Sequence, residues 1–119
     1  MLININASPY HRDKPHERAQ LLKERAQLAK CPIIYTNLVG GQDELVFDGS
    51  SMAVSAKGEC IVRAPSFEEG FFCLSLTESA HGLCIDAPQQ SPAALDSTEE
   101  GLYKALVLGV RDYVYKNGF

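Results

Sequence analysis

Residues 2 to 38 read LININASPYHRDKPHERAQLLKERAQLAKCPIIYTNL, and the change of rhythm along this run decides the fold. Leu2 to Ala7 alternates Ile3 and Ile5 with Asn4 and Asn6 and is closed by Ser8-Pro9, the pattern of a strand followed by a breaker. From Pro15 to Lys30 the period lengthens. Ala19, Leu22, Ala26 and Ala29, flanked by Leu21 and Leu28, form an apolar face opposite Glu17, Gln20, Glu24 and Gln27. Pro15 suits the first turn of a helix and Pro32 ends it. Ile33 to Leu38 then reads as a short buried strand. The run predicts a β-α-β unit whose two strands are parallel near-neighbours joined by a right-handed crossover. A strand at the second residue has no preceding element to cover it, so it marks a sheet edge or a chain cut from something longer; the second is the expectation.

Outward from this unit, Val39-Gly40-Gly41 is a place where the backbone turns or approaches something closely. Leu45–Phe47, Ser51–Ser55, Cys60–Arg63 and Phe71–Leu76 read as short strands separated by turn signals, which continues the sheet in antiparallel fashion. Thr77 to Thr98 holds Pro88, Gln89, Gln90, Ser91 and Pro92 without periodicity and reads as a linker or covering arm. Glu99 to Lys116 returns to helix, with Leu102, Leu106, Gly109/Val110 and Tyr113/Val114 on one face and Asn117-Gly118 as the stop. No internal repeat is visible.

With 119 residues the chain is one domain or part of one. Hydrophobic residues make up 45% and charged residues 22%, enough apolar material for a core and too much for a disordered chain. The net charge of -4, with bases interspersed among acids, lacks the positive stripe that a nucleic-acid binder uses to displace counterions. No apolar run approaches the roughly 18 residues of a membrane span, and Met1 is followed by LININ rather than a basic, cleavable leader, so a cytoplasmic protein is expected. Four unevenly spaced cysteines, Cys31, Cys60, Cys73 and Cys84, fit reduced and mostly buried thiols better than a disulfide framework or a zinc ribbon.

Few residues carry chemistry by pattern alone. Ser8 stands just beyond a strand end, where α/β proteins place functional groups, but no G-x-S-x-G elbow surrounds it and Pro9 lacks the N–H that such an elbow needs. It reads as a ligand contact or a simple strand terminator. Lys14, beside the same strand end, reads as a cation for an anionic group or as a surface lysine. His11, Asp13 and His16 straddle a helix start without sharing a face, so no metal site is expected. Gly40-Gly41 lacks the G-x-x-x-x-G-K-[ST] or G-x-G-x-x-G context of a phosphate cradle. None of the cysteines has the partners of a reactive thiolate.

Longer segments say more. Arg25-Ala26, IIYTNLVGG from Ile33, FDGSS from Phe47 and AKGECIVRAP from Ala56 resemble the C-terminal half of a nitrilase, or carbon–nitrogen hydrolase, domain. NINASPYHRDKPHER (4–18), NLVGGQDELVFDGSS (37–51) and YKALVLGVRDYVYKNGF (103–119) are similar to the glutamine-dependent NAD+ synthetase family, in matching order along essentially the whole chain. The resemblance implies a mixed α/β (α+β) fold, part of a nitrilase-type α-β-β-α sandwich, followed by a linker and a terminal helix. It divides the chain into the later half of a glutaminase domain (1–77), an interdomain linker (78–98) and the first helix of an ATP-dependent synthetase domain (99–119).

It further implies a glutaminase whose Cys nucleophile, Glu base and Lys lie upstream of Met1, so that no catalytic residue is expected here, and a pyrophosphate loop beyond Phe119. In such an enzyme ammonia released from glutamine amidates nicotinic acid adenine dinucleotide with ATP and Mg2+, in a homo-oligomer. The cofactors are expected outside this chain, which by itself is expected to be inactive. Ser8 matches a residue that binds glutamine near the attacked amide, and Lys14 a basic residue that pairs with the glutamine α-carboxylate. Arg25, Asn37 and Ser51 match structural positions, Asn37 being able to bridge strand to loop by its amide. Gly40 to Glu44 would lie near the active-site rim. The alternatives are a free-standing, non-catalytic interaction module and a piece of another carbon–nitrogen hydrolase.

Overall fold

The computed structural model describes all 119 residues. Strand β1 (Leu2–Asn6), helix α1 (Lys14–Ala29) and strand β2 (Ile33–Asn37) form the expected β-α-β unit. β1 and β2 are parallel neighbours, in a register that sets Ile3 beside Ile34 and Ile5 beside Thr36. Pro15 lies in the first turn of α1, and the helix stops at Lys30, whose left-handed backbone (φ 51°) lets the Cys31 amide donate back to the Ala26 carbonyl. Strands β5 (Met52–Val54) and β6 (Cys60–Arg63) complete an antiparallel continuation, so the sheet runs β1-β2-β5-β6.

Two further strands lie outside it. Val39–Gln42 forms β3 where only a turn or close approach was expected, and it pairs with β4 (Leu45–Asp48) as a separate hairpin. The Leu45–Phe47 strand therefore exists but does not extend the main sheet. Glycine weakens strand propensity, and the pairing of Gly40 with Phe47 and Gly41 with Val46 is settled by the partner rather than by β3 itself.

Residues 71–74 hold no strand, contrary to the reading of Phe71–Leu76. Strand β7 starts at Ser75 and runs to Ser79, pairing with β8 (Gly82–Asp86) inside the stretch read as a linker. The apolar Phe71-Phe72 pair misleads because both rings are exposed. The β7–β8 ribbon shows no alternation because only Ile85 of its residues is buried, and a ribbon wet on both faces imposes no apolar period. Residues 87–97 are irregular up to Ser97, which caps helix α2 (Thr98–Asn117) by accepting from the Glu100 amide.

Pleating gives the main sheet two faces. Ile33, Tyr35, Met52 and Val54 meet Leu22 and Ala26 of α1, and Ala19 and Cys60 pack at the margin. Ala53 and Val62, on the opposite face, meet Ile85 and Ala87. A third cluster, Phe67 with Ala105 and Leu108, seats α2 against Tyr10, Val39 and Val46. The buried face of α2 is thus Gly101, Ala105 and Leu108, whereas Leu102, Leu106, Val110 and Tyr113, expected to face the core, are exposed. Leu21, Leu28 and Ala29 of α1 are exposed as well. The cysteines also differ from expectation: Cys73 and Cys84 are exposed, Cys31 and Cys60 half-buried, and all four are free. Cys73 lies outside any strand and Cys84 faces solvent on the ribbon, so neither has a core to enter.

Candidate functional site

At the end of β1 the chain leaves the sheet through Ala7 and Ser8, and the Asn37 side chain at the end of β2 holds it there. The Ser8 amide donates to Asn37 Oδ1 at 2.8 Å, while Asn37 Nδ2 donates to the carbonyls of Ser8 (3.3 Å) and Gly49 (3.1 Å). Ser51 Oγ accepts from the Asn37 backbone N–H at 2.9 Å. One buried side chain thus ties strand end to loop, as its amide chemistry allows, and Ser51 plays the structural part expected of it. Arg25, matched to a structural position, is an exposed residue of α1.

Beneath Ser8 lies a buried ion pair. Arg18 Nη1 and Nη2 donate to the two carboxylate oxygens of Asp48 at 2.9 and 3.1 Å, with side chains 4% and 0% exposed. This is the two-pronged geometry that suits guanidinium to carboxylate. The Arg18 guanidinium also lies 5.6 Å from the centre of the Tyr35 ring, and its Nη2 reaches Ser8 Oγ at 3.3 Å. Asp48 is fixed in turn by its backbone: its carbonyl accepts from the Phe67 amide at 2.8 Å. Next to it the buried hydroxyls of Ser50 and Ser66 are 2.7 Å apart.

Neither Arg18 nor Asp48 was singled out by sequence reasoning. A signal existed for Arg18, which precedes Leu22 and Ala26 by one and two turns and so occupies the buried stripe of α1, where a charge requires a partner. For Asp48 there was none, because Asp-Gly reads first as a turn.

Lys14 is the first residue of α1, half-buried, and takes part in no ion pair. Ser8 is held by Asn37 and Arg18. His11 stands 3.9 Å from Glu17, an exposed surface contact, and the chain brings no three metal-ligating side chains together. Burial pushes the Cys60 thiol up despite the opposing influence of Arg63, which works against a thiolate. Gly40 to Glu44 belongs to the β3–β4 hairpin, and α2 claims its backbone: the Gly41 amide donates to Asp112 Oδ2 at 2.7 Å and Lys116 Nζ to the Gly41 carbonyl at 2.6 Å.

A cleft of about 620 Å³ opens on the sheet face away from α1, lined by Ile5, Ile34, Thr36, Ala53, Phe71 and Leu74 among others. Ser8 and Lys14 do not line it. What the β1 end offers is a hydroxyl on a backbone tied down by Asn37, with a charge-balanced guanidinium behind it.

The family follows from this architecture together with the sequence. The sequence profile of the carbon–nitrogen hydrolases matches residues 1–86, most of the chain, and the chain belongs to that family. Within it, the named relatives that match are glutamine-dependent NAD+ synthetases. Those of Synechocystis sp. and Aquifex aeolicus are 42% and 37% identical and are matched over 100% of this chain. The solved glutamine-dependent NAD+ synthetase from Acinetobacter baumannii, in complex with ADP, superimposes with a TM-score of 0.83 at 36% identity over 98% of this chain and 22% of its own. The chain spans 20% to 26% of the length of the curated relatives it matches.

Proposed function

We propose that this chain forms part of a glutamine-dependent NAD+ synthetase and supplies glutamine-binding groups rather than the nucleophile. The observation that carries the reading is that essentially the whole chain, α2 included, matches those synthetases in sequence, and one of them in structure. Ser8 contacts the glutamine near its side-chain amide, and Lys14 pairs with the α-carboxylate. A cysteine thiolate from another part of the polypeptide attacks the amide carbon, the C–N bond breaks and ammonia leaves to amidate nicotinic acid adenine dinucleotide. Residues 1–77 belong to the glutaminase domain, 78–98 connect it and α2 opens the synthetase domain. ATP and Mg2+ serve the synthetase step. The residues present here do not fit them, with neither a clustered ligand set nor a phosphate-binding loop.

The test is to isolate the native gene product with an antibody raised against residues 96–119, measure its mass and assay it. A mass several times 13.0 kDa with glutamine-dependent NAD+ formation is the expected result. A 13.0 kDa product with neither glutamine hydrolysis nor amidation would overturn it in favour of a free-standing interaction module. Glutamine hydrolysis by the isolated 119-residue chain, abolished by substituting one of its own cysteines, would overturn the assignment of the nucleophile elsewhere.

A further inference from the structure

We propose that Arg18, held by Asp48, is a positioning residue that turns the Ser8 hydroxyl into a hydrogen-bond donor for an uncharged oxygen of the ligand; this rests on the reading of Ser8 as a glutamine contact. Three observations carry it. A guanidinium has donors and no acceptor, so at the 3.3 Å contact Ser8 Oγ receives a hydrogen from Arg18 and its own hydrogen points elsewhere. Both backbone groups of Ser8 are engaged by Asn37, which fixes the main chain from which the hydroxyl projects toward Arg18, and no acceptor within the chain takes the hydroxyl hydrogen. The Arg18 charge is cancelled at 2.9 and 3.1 Å by a carboxylate as buried as itself, so the pair orders the hydroxyl without presenting a net charge to the ligand.

Such a site offers a donor but no counter-charge, so a carboxylate placed against it gives up hydration that no opposite charge replaces, whereas the carbonyl of an amide is cheaper to desolvate and is the acceptor selected. The unpaired ammonium of Lys14 is the complementary element, suited to the charged end of the same molecule. Discrimination between a side-chain amide and a side-chain acid is thereby built into the neutrality of a buried ion pair. Replacing Asp48 by an uncharged residue would leave the guanidinium charge unbalanced and draw an acid toward Ser8.

The test uses the protein expressed from its own gene, comparing kcat/KM for glutamine in Ser8→Ala, Arg18→Lys and the double variant. Each glutamine-driven rate is divided by the same variant's ammonium-driven rate, which factors out changes in the synthetase step, and a thermal melt of each variant reports on the fold around the substitution. Arg18→Lys is expected to lose about tenfold, the range of one hydrogen bond, and the double variant no more than Ser8→Ala alone. Independent, additive losses would overturn the positioning role while leaving glutamine at Ser8 intact. An undiminished Ser8→Ala would instead overturn the glutamine reading. Asp48→Asn is expected to strengthen inhibition by glutamate relative to the KM for glutamine, and an unchanged ratio counts against the proposal. Should neither variant at the pair fold, the wild-type protein decides: a single Ser8 χ1 rotamer by NMR coupling constants supports the proposal and averaged rotamers overturn it.

Discussion

The buried pair of Arg18 and Asp48 is stabilising only as a pair. Removing one partner strands the other charge in the interior, at a cost of about 3–5 kcal/mol. Arg18→Ala is therefore expected to lower the unfolding free energy by that amount in urea titrations. Arg18→Met combined with Asp48→Leu is expected to lose less than the single Arg18 substitution, because no charge is left unpaired; an equal or larger loss would show that the side chains matter for their shape rather than their charge. Asn37 was legible through the family resemblance, which marks it as a structural position, and its amide has the donors and acceptor that a bridge from strand to loop needs. Arg18 was half-legible, from its place on the apolar stripe, and Asp48 was not, since nothing local to Asp48-Gly49 announces a partner 30 residues away.

At the scale of elements, the docking of α2 on the β3–β4 hairpin combines a close backbone approach with a polar clamp. A methyl group on Gly41 would lie 3.1 Å from Gly109 Cα and 3.3 Å from Asp112 Cβ. Neither neighbour is a flexible side-chain end, so Gly41→Ala is expected to push the helix away and destabilise by about 1–3 kcal/mol, seen as faster amide exchange along α2. Asp112 titrates below its ordinary value of 3.8: burial pushes it up, but the Gly41 amide, Arg111 and Lys116 together outweigh that. The sign of the linkage follows from the lowered value. Its contribution to stability is whole above pH 3.8 and is lost as the pH falls below it through the folded value. The stability difference between the wild-type chain and Asp112→Asn is thus expected to shrink on acidification, and a difference independent of pH would remove the clamp from the account. The close approach also explains why periodicity chose the wrong face of α2. Gly109 is what the helix presents to Gly41 and Gly101 is what it presents to Tyr10, so these small residues turn inward with Ala105 and Leu108 while Leu102, Leu106 and Val110 stay outside.

Across the whole molecule, the apolar surface that remains open is concentrated on β1 and α2. Ile5 is 81% exposed on an edge strand whose outer side has no partner, and Leu106 and Val110 are 69% and 65% exposed. Bare edge strands and apolar patches of this kind recruit further chains. The isolated chain is expected to sediment above its 13.0 kDa mass, and Ile5→Lys to shift it toward the monomer; a monodisperse wild-type monomer would contradict this. The sequence by itself determined the β-α-β unit, the antiparallel β5 and β6 and the existence of α2, because periodicity and end signals between neighbours in the chain are enough to specify an element. Its longer segments also carried the family resemblance. Only the tertiary structure decided which face of α2 is buried, that β3 pairs with β4 apart from the main sheet, and that Arg18 meets Asp48 beneath Ser8. The ion pair joins groups 30 residues apart and the docking of α2 joins groups 71 apart, while the short β3–β4 hairpin carries no apolar period of its own; a local period records how much of a residue is buried, never what it is buried against.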